Sequence, residues 1–120
     1  MKELPPPIWP QYYILIDRLP VAVDALTWAM WFGYEPDKRR VAQDHIGKVE
    51  VSTVFLGLDH NFGRGEPLLF ETMIFGGPLD REQWRYRSYA EAERGHQHAL
   101  TQARIASAKI KAIATKSGAK

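Results

Sequence analysis

Asp59, His60, Arg64 and Glu66 stand within one eight-residue stretch, Asp59-His60-Asn61-Phe62-Gly63-Arg64-Gly65-Glu66, punctuated by two glycines. An imidazole beside two carboxylates could act as an acid/base pair or supply nitrogen and oxygen ligands to a metal, and a guanidinium between glycines could hold an anion. The same residues have a purely architectural reading. In it, Asp59 and Asn61 make turn hydrogen bonds, Gly63 and Gly65 take positive backbone angles, and Phe62 pins the loop to the core. No second histidine lies at metal-ligand spacing, so no metal or other cofactor is expected.

Three further groups carry charge or nucleophilic chemistry. Glu71 interrupts the apolar run LLFETMIF. On a solvated sheet face it is an ordinary carboxylate; on a covered face it must be paired or have a raised pKa. Arg85 and Arg87 could form a wall of a site, with Glu91 and Glu93 equally explained by capping and surface pairing. His96 and His98 are two apart and point in different directions on a helix, so they cannot chelate one ion together. His96 falls on an apolar stripe and reads as a hydrogen-bonded core histidine, and His98 as exposed. Ser52, Ser88, Ser107 and the threonines lie in no nucleophile elbow. Phosphate loops, dinucleotide fingerprints, calcium loops and metalloprotease helices are absent. The candidate binding set is therefore Asp59, His60, Asn61, Arg64, Glu66, Glu71, Arg85 and Arg87, with no catalytic residue assigned. A small enzyme using His60 with Asp59 or Glu71 is the alternative.

With 120 residues and no cysteine, the chain has the length of one domain and no means of disulfide stapling or thiol catalysis. A cytoplasmic location is expected. No apolar run approaches the roughly 20 residues that span a bilayer, and MKELPPPIWP does not resemble a signal peptide. The net charge of +2 is small, but no acidic residue follows Glu93, whereas Arg94, Arg104, Lys109, Lys111, Lys116 and Lys120 do. That basic end could meet nucleic acid or an acidic partner; a solvated helix face is the favoured reading, because aromatic interleaving and base-reading motifs are missing.

The elements that must position these residues follow from pattern. Residues 1–11 read as a proline-rich arm, 12–100 as an α+β core and 101–120 as a basic helical extension. Tyr12 to Ile16 predicts a short strand ended by a turn at Asp17 to Pro20. Asp24 can cap a helix over Ala25 to about Phe32, apolar almost all round, with Gly33 able to end it. Such a helix is buried on two sides or meets a partner chain. Val41–Ile46 and Val49–Val54 can pair through a type II′ turn at Gly47-Lys48, with Asp44 opposite Val51 and Ala42 opposite Thr53. Val49–Leu58 and Leu68–Phe75 form a second hairpin that carries the His60 loop, with Phe55 opposite Phe70, Thr53 opposite Thr72 and Val51 opposite Ile74. After Gly76-Gly77-Pro78, Ser88 and Glu91 form a capping box. They open a long helix with Ala92, His96, Ala99, Leu100, Ala103, Ala106, Ile110 and Ile113 along its buried stripe. The fold class is thus a single α+β domain of order β-α-β-β-β-α, with the C-terminal helix on one face of an antiparallel sheet. The aromatic first helix and the alanine-striped last helix suggest a homo-oligomer.

The wording of Val51–Gly77, VSTVFLGLDHNFGRGEPLLFETMIFGG, and Arg85–His96, RYRSYAEAERGH, resembles a family of small bacteriophage and prophage proteins. The likeness covers about Tyr12 to Leu100, and GLDHNFG is its most specific phrase. The proline-rich arm and the basic extension look like additions to the shared core. The resemblance implies a phage-derived accessory protein in the host cytoplasm that binds a host protein or a small anionic ligand, including the inhibition of host defence, and it transfers no activity to particular residues.

Overall fold

The computed structural model describes residues 10–34 and 36–118; most of the expected proline-rich arm lies outside the described residues. The central sheet has four antiparallel strands in chain order, β3 (Arg40–Ile46), β4 (Val49–Phe55), β5 (Phe70–Phe75) and β6 (Gln83–Tyr86). Gly47 adopts φ 59°, as a type II′ turn between β3 and β4 requires. The expected register is observed in full: Asp44 faces Val51, Ala42 faces Thr53, Thr53 faces Thr72, and Phe55 faces Phe70. A bulge between Arg40 and Ala42 is the one irregularity of the β3–β4 pair.

Alternation along β4 places Val49, Val51, Thr53 and Phe55 on a buried face and Glu50, Ser52 and Val54 on a half-exposed one. The long helix α2 (Tyr89–Gly118) lies against the first of these faces through Ala92, His96, Ala99, Leu100 and Ala103, all buried. Small side chains let the helix axis approach the sheet. At Gly95 the approach is closest, for a Cβ there would overlap the Tyr86 ring. The core has two parts. One joins Val49, Val51 and Ile74 to Ala99, Leu100 and Ala103; the other joins Tyr13, Phe55, Leu69 and Phe70 to Ala92. Each fully buried side chain of this size contributes on the order of 1.5–3 kcal/mol.

Ser88 caps α2 by accepting the Glu91 amide at 3.1 Å, while the Glu91 carboxylate accepts the Arg87 amide at 3.2 Å. The box is therefore shifted by one residue on its return arm. Burial on α2 ends near Ala103: Ile110 is 52% and Ile113 61% exposed, contrary to the expected stripe. Thirty helical residues span about 45 Å, whereas a seven-residue strand spans about 23 Å, so the helix outruns the sheet. The helix continues without a break through the expected boundary at residue 101.

Two strands stand where the sequence pattern predicts none, Leu19–Ala22 and Gln83–Tyr86. β1 (Tyr13–Ile16) turns back through Asp17 and Arg18, at φ 51° and 67°, into β2 (Leu19–Ala22). Pro20 argues against a strand by pattern, but it is tolerated here because β2 is an edge. β6 is only four residues long and gains its identity from pairing with β5. Between β2 and β3 lie α1 (Ala25–Tyr34), which continues past Gly33, and a single 3-10 turn over Pro36–Arg39. Asp24 caps α1 by accepting the Thr27 amide at 2.7 Å. Trp28, Trp31 and Phe32 point inward, with Trp31 edge-on to Phe55 at 5.8 Å. Arg39 lies over the Phe32 ring at 4.5 Å. Among the described residues no helix is long and apolar enough to cross a membrane.

Candidate functional site

The loop between β4 and β5 begins at Gly57, where φ is 73° and a side chain would collide with the Phe32 and Trp28 rings. Its base is tied on both sides. The Tyr13 amide donates to Gly57 O at 2.8 Å and the Asp59 amide to Gln11 O at 3.1 Å, while the His60 amide donates to Leu68 O at 3.0 Å. Within this frame Asp59, 8% exposed, accepts three backbone amides: Asn61 at 2.7 Å, Gly63 at 3.0 Å and Leu68 at 3.2 Å. Asn61 donates its side-chain amide to Glu66 O at 3.0 Å and accepts the Arg64 amide at 3.0 Å. These bonds fold the chain on itself, so the loop is a built object rather than slack chain. Burial, followed by the nearby charge of Asp59, pushes the Tyr13 phenol above its ordinary range.

Phe62 stands at the tip of this loop. It is 77% exposed and held at φ 53°, a region that bulky side chains rarely adopt. The core pin expected of Phe62 is absent, because the Asp59 bonds turn the tip outward. Arg64 is exposed beside it. His60 donates Nδ1–H to Leu58 O at 2.8 Å, and its ring lies 6.3 Å from that of Phe62. In the neutral ring its Nε2 is then the acceptor nitrogen. Asp59 and His60 thus have separate partners and make no hydrogen bond with each other among the described residues.

The remaining candidates fall into two pairs. Glu66 and Arg87 approach to 3.6 Å with 63% and 55% of their side chains exposed, a weak surface contact. Glu71 accepts from Arg85 Nε at 3.1 Å on the half-exposed sheet face, where only 15% of its side chain is exposed. Glu71 is therefore a covered carboxylate stabilised by pairing. Gln43 and Glu50 form a further hydrogen bond on that face.

Sequence reasoning did not assemble a second polar group, on the covered face. Asp44 accepts His96 Nε2–H at 2.7 Å, and His96 Nδ1 shares a hydrogen bond with the Thr53 hydroxyl at 2.6 Å, accepting it when the ring is neutral. Thr53 and Thr72 hydroxyls are 2.5 Å apart, and burial pushes the pKa of the Tyr86 phenol up, an effect that the neighbouring Thr72 hydroxyl partly offsets. The row runs from Asp44, half-exposed on β3, through His96 and Thr53 to Thr72 on β5, and its members belong to neither apolar cluster. The signal was present: Asp44, Thr53 and Thr72 occupy inward sheet positions, His96 occupies the inward helix stripe, and buried polar groups must find one another.

Asp44, His96 and Thr53 have the connectivity of an orienting acid, a base and a nucleophile. Thr53 and His96 are nevertheless 0% and 1% exposed, and Thr53 already bonds Thr72, so there is no room for a substrate at the hydroxyl. The group is a pin between helix and sheet. At the surface, cavities of about 350 Å³ beside Gln11, Asp59, Phe62 and Gly63, and of about 270 Å³ beside Tyr13, Glu66 and Arg87, sit at or below the small end of small-molecule sites. Among the described residues, no three His, Asp or Glu side chains converge to hold a metal ion. No protein-family model, curated protein or solved structure matches the chain.

Proposed function

We propose that the protein is a binding module that engages a partner protein through the Asp59–Glu66 loop, with Phe62 and Arg64 at the centre of the contact. The observation that carries this reading is the spending of the Asp59 carboxylate on three loop amides, which holds an exposed aromatic ring in left-handed backbone at the tip. A preorganised loop avoids the ordering cost of association, and aromatic and arginine side chains are the types that dominate binding energy. Partner chemistry follows from the pair: an apolar pocket for Phe62 beside a carboxylate for Arg64. The shallow neighbouring cavities favour a macromolecular partner over a small anionic ligand. A host protein in the host cytoplasm, including a component of host defence, is the setting implied by the phage resemblance.

The test is affinity capture from host extract with the wild-type chain, Phe62→Ala and Arg64→Ala, compared by quantitative mass spectrometry. The reading expects a protein captured by the wild type and depleted at least tenfold with each variant, all three being equally folded by circular dichroism. Capture that is indifferent to both substitutions would remove the loop from consideration.

A further inference from the structure

The hairpin β1–β2 has one inward and one outward face. Tyr13 and Leu15 pack into the second core cluster, so alternation sends Ile14 and Ile16 outward, together with their cross-strand partners Val21 and Leu19. All four outward residues are apolar; Ile16 is 51%, Leu19 67% and Val21 37% exposed. The chain passes from β2 through Val23 and Asp24 directly into α1, which contacts β1. On α1, Leu26, Met30 and Tyr34 recur at four-residue spacing on one stripe and are 71%, 55% and 80% exposed. Not one residue of this ten-residue apolar helix is buried, although a helix this short gains its stability from packing.

We propose that the outward hairpin face and the Leu26–Met30–Tyr34 stripe form the interface of a two-fold homodimer. Two arguments identify the occupant as a second copy. At roughly 180 Å² for each fully exposed side chain of this size, the fractions above leave about 650 Å² of apolar side chain per copy, or about 1,300 Å² across a two-fold, within the range of specific interfaces. The seven residues of this surface are uncharged, and the charges that adjoin them in the chain are few: Asp17 and Arg18 at the hairpin tip and Asp24, whose carboxylate is engaged by the Thr27 amide. Of the charges at the hairpin tip, Arg18 is folded back over the Tyr89 ring at 4.9 Å. An uncharged patch meets its own image without like-charge repulsion and offers no electrostatic handle to a dissimilar partner. Pro20 removes an amide from β2, so the contact is face to face rather than strand to strand.

Sedimentation velocity on the full chain between about 1 and 100 μM should show a species of twice the 13.7 kDa chain mass, its proportion rising with concentration. Leu19→Glu and Met30→Glu each place two symmetry-related carboxylates in the interface, and each should weaken dimerisation at least tenfold with an unchanged circular dichroism spectrum. If either variant fails to fold, wild-type hydrogen exchange decides: amides of β1, β2 and α1 should gain protection as concentration crosses the dimerisation midpoint. A chain that stays monomeric throughout overturns the proposal. A dimer that survives both charge substitutions, or exchange in this region that is independent of concentration, overturns it equally.

Discussion

Replacing Thr53 by Val should unfold the protein at markedly lower temperature, although the two side chains have nearly the same shape. The Thr53 hydroxyl is wholly buried and serves two neighbours, His96 Nδ1 at 2.6 Å and Thr72 Oγ1 at 2.5 Å. Valine leaves both without that partner. His96 cannot turn away, because its other nitrogen is held by Asp44 at 2.7 Å. One orphaned buried polar atom costs about 1–3 kcal/mol, and the buried Thr72 hydroxyl, deprived of the same partner, brings the expectation to about 2–3 kcal/mol. With an unfolding entropy of about 2.1 cal/mol/K per residue, this amounts to a fall in Tm of about 8–12 °C for this chain. Thermal and urea denaturation with an unchanged m-value would measure it. His96→Leu provides the decisive control, because removing both members of a buried pair is far less costly than removing one. Thr53→Val combined with His96→Leu should therefore be less destabilising than the sum of the single changes by about 1–2 kcal/mol. Strict additivity, or a single-variant cost below about 0.5 kcal/mol, would refute the pinning role of the row.

Other expectations rest on single contacts. Gly95→Ala should lower Tm even though alanine is the better helix former by about 1 kcal/mol, because the new Cβ overlaps the Tyr86 ring; Tyr86→Ala in the same chain should erase most of the difference. Phe62→Gly should leave thermal stability equal or raise it by up to about 1 kcal/mol through relief of the φ 53° backbone, while partner capture is lost. The Asp24 carboxyl is held below its usual range mainly by the Thr27 amide, so its contribution is complete above the unfolded-state pKa and disappears as pH falls through the lower folded value. The Tm difference between wild type and Asp24→Ala should thus be full near about pH 6 and vanish toward about pH 2; a difference that grew on acidification would reverse the assignment.

Local rules read from the chain determined a large part of this protein. The β3–β4–β5 register follows from a glycine-led turn and from cross-strand matching of apolar residues, since a slip by one position would turn Val51, Phe55 and Ile74 to solvent. The caps at Asp24 and Ser88 and the buried site of His96 were legible for the same reason, each being set within one or two turns of helix. Tertiary structure decided what local pattern could not. β2 and β6 are strands because neighbours pair with them, and a four-residue segment has too little periodicity to announce itself. Ile110 and Ile113 continue the apolar stripe in sequence but lie beyond the sheet, whose extent depends on strands far away in the chain. At the loop, residue types named the participants, yet only the fold assigned their roles. Asp59 is consumed by the loop amides, His60 gives its Nδ1 to Leu58, and Phe62 is left pointing outward, while on β5 Glu71 is taken by Arg85. Hydrogen-bonding capacity belongs to a side chain, but the partner that uses it is fixed by where distant segments come to rest.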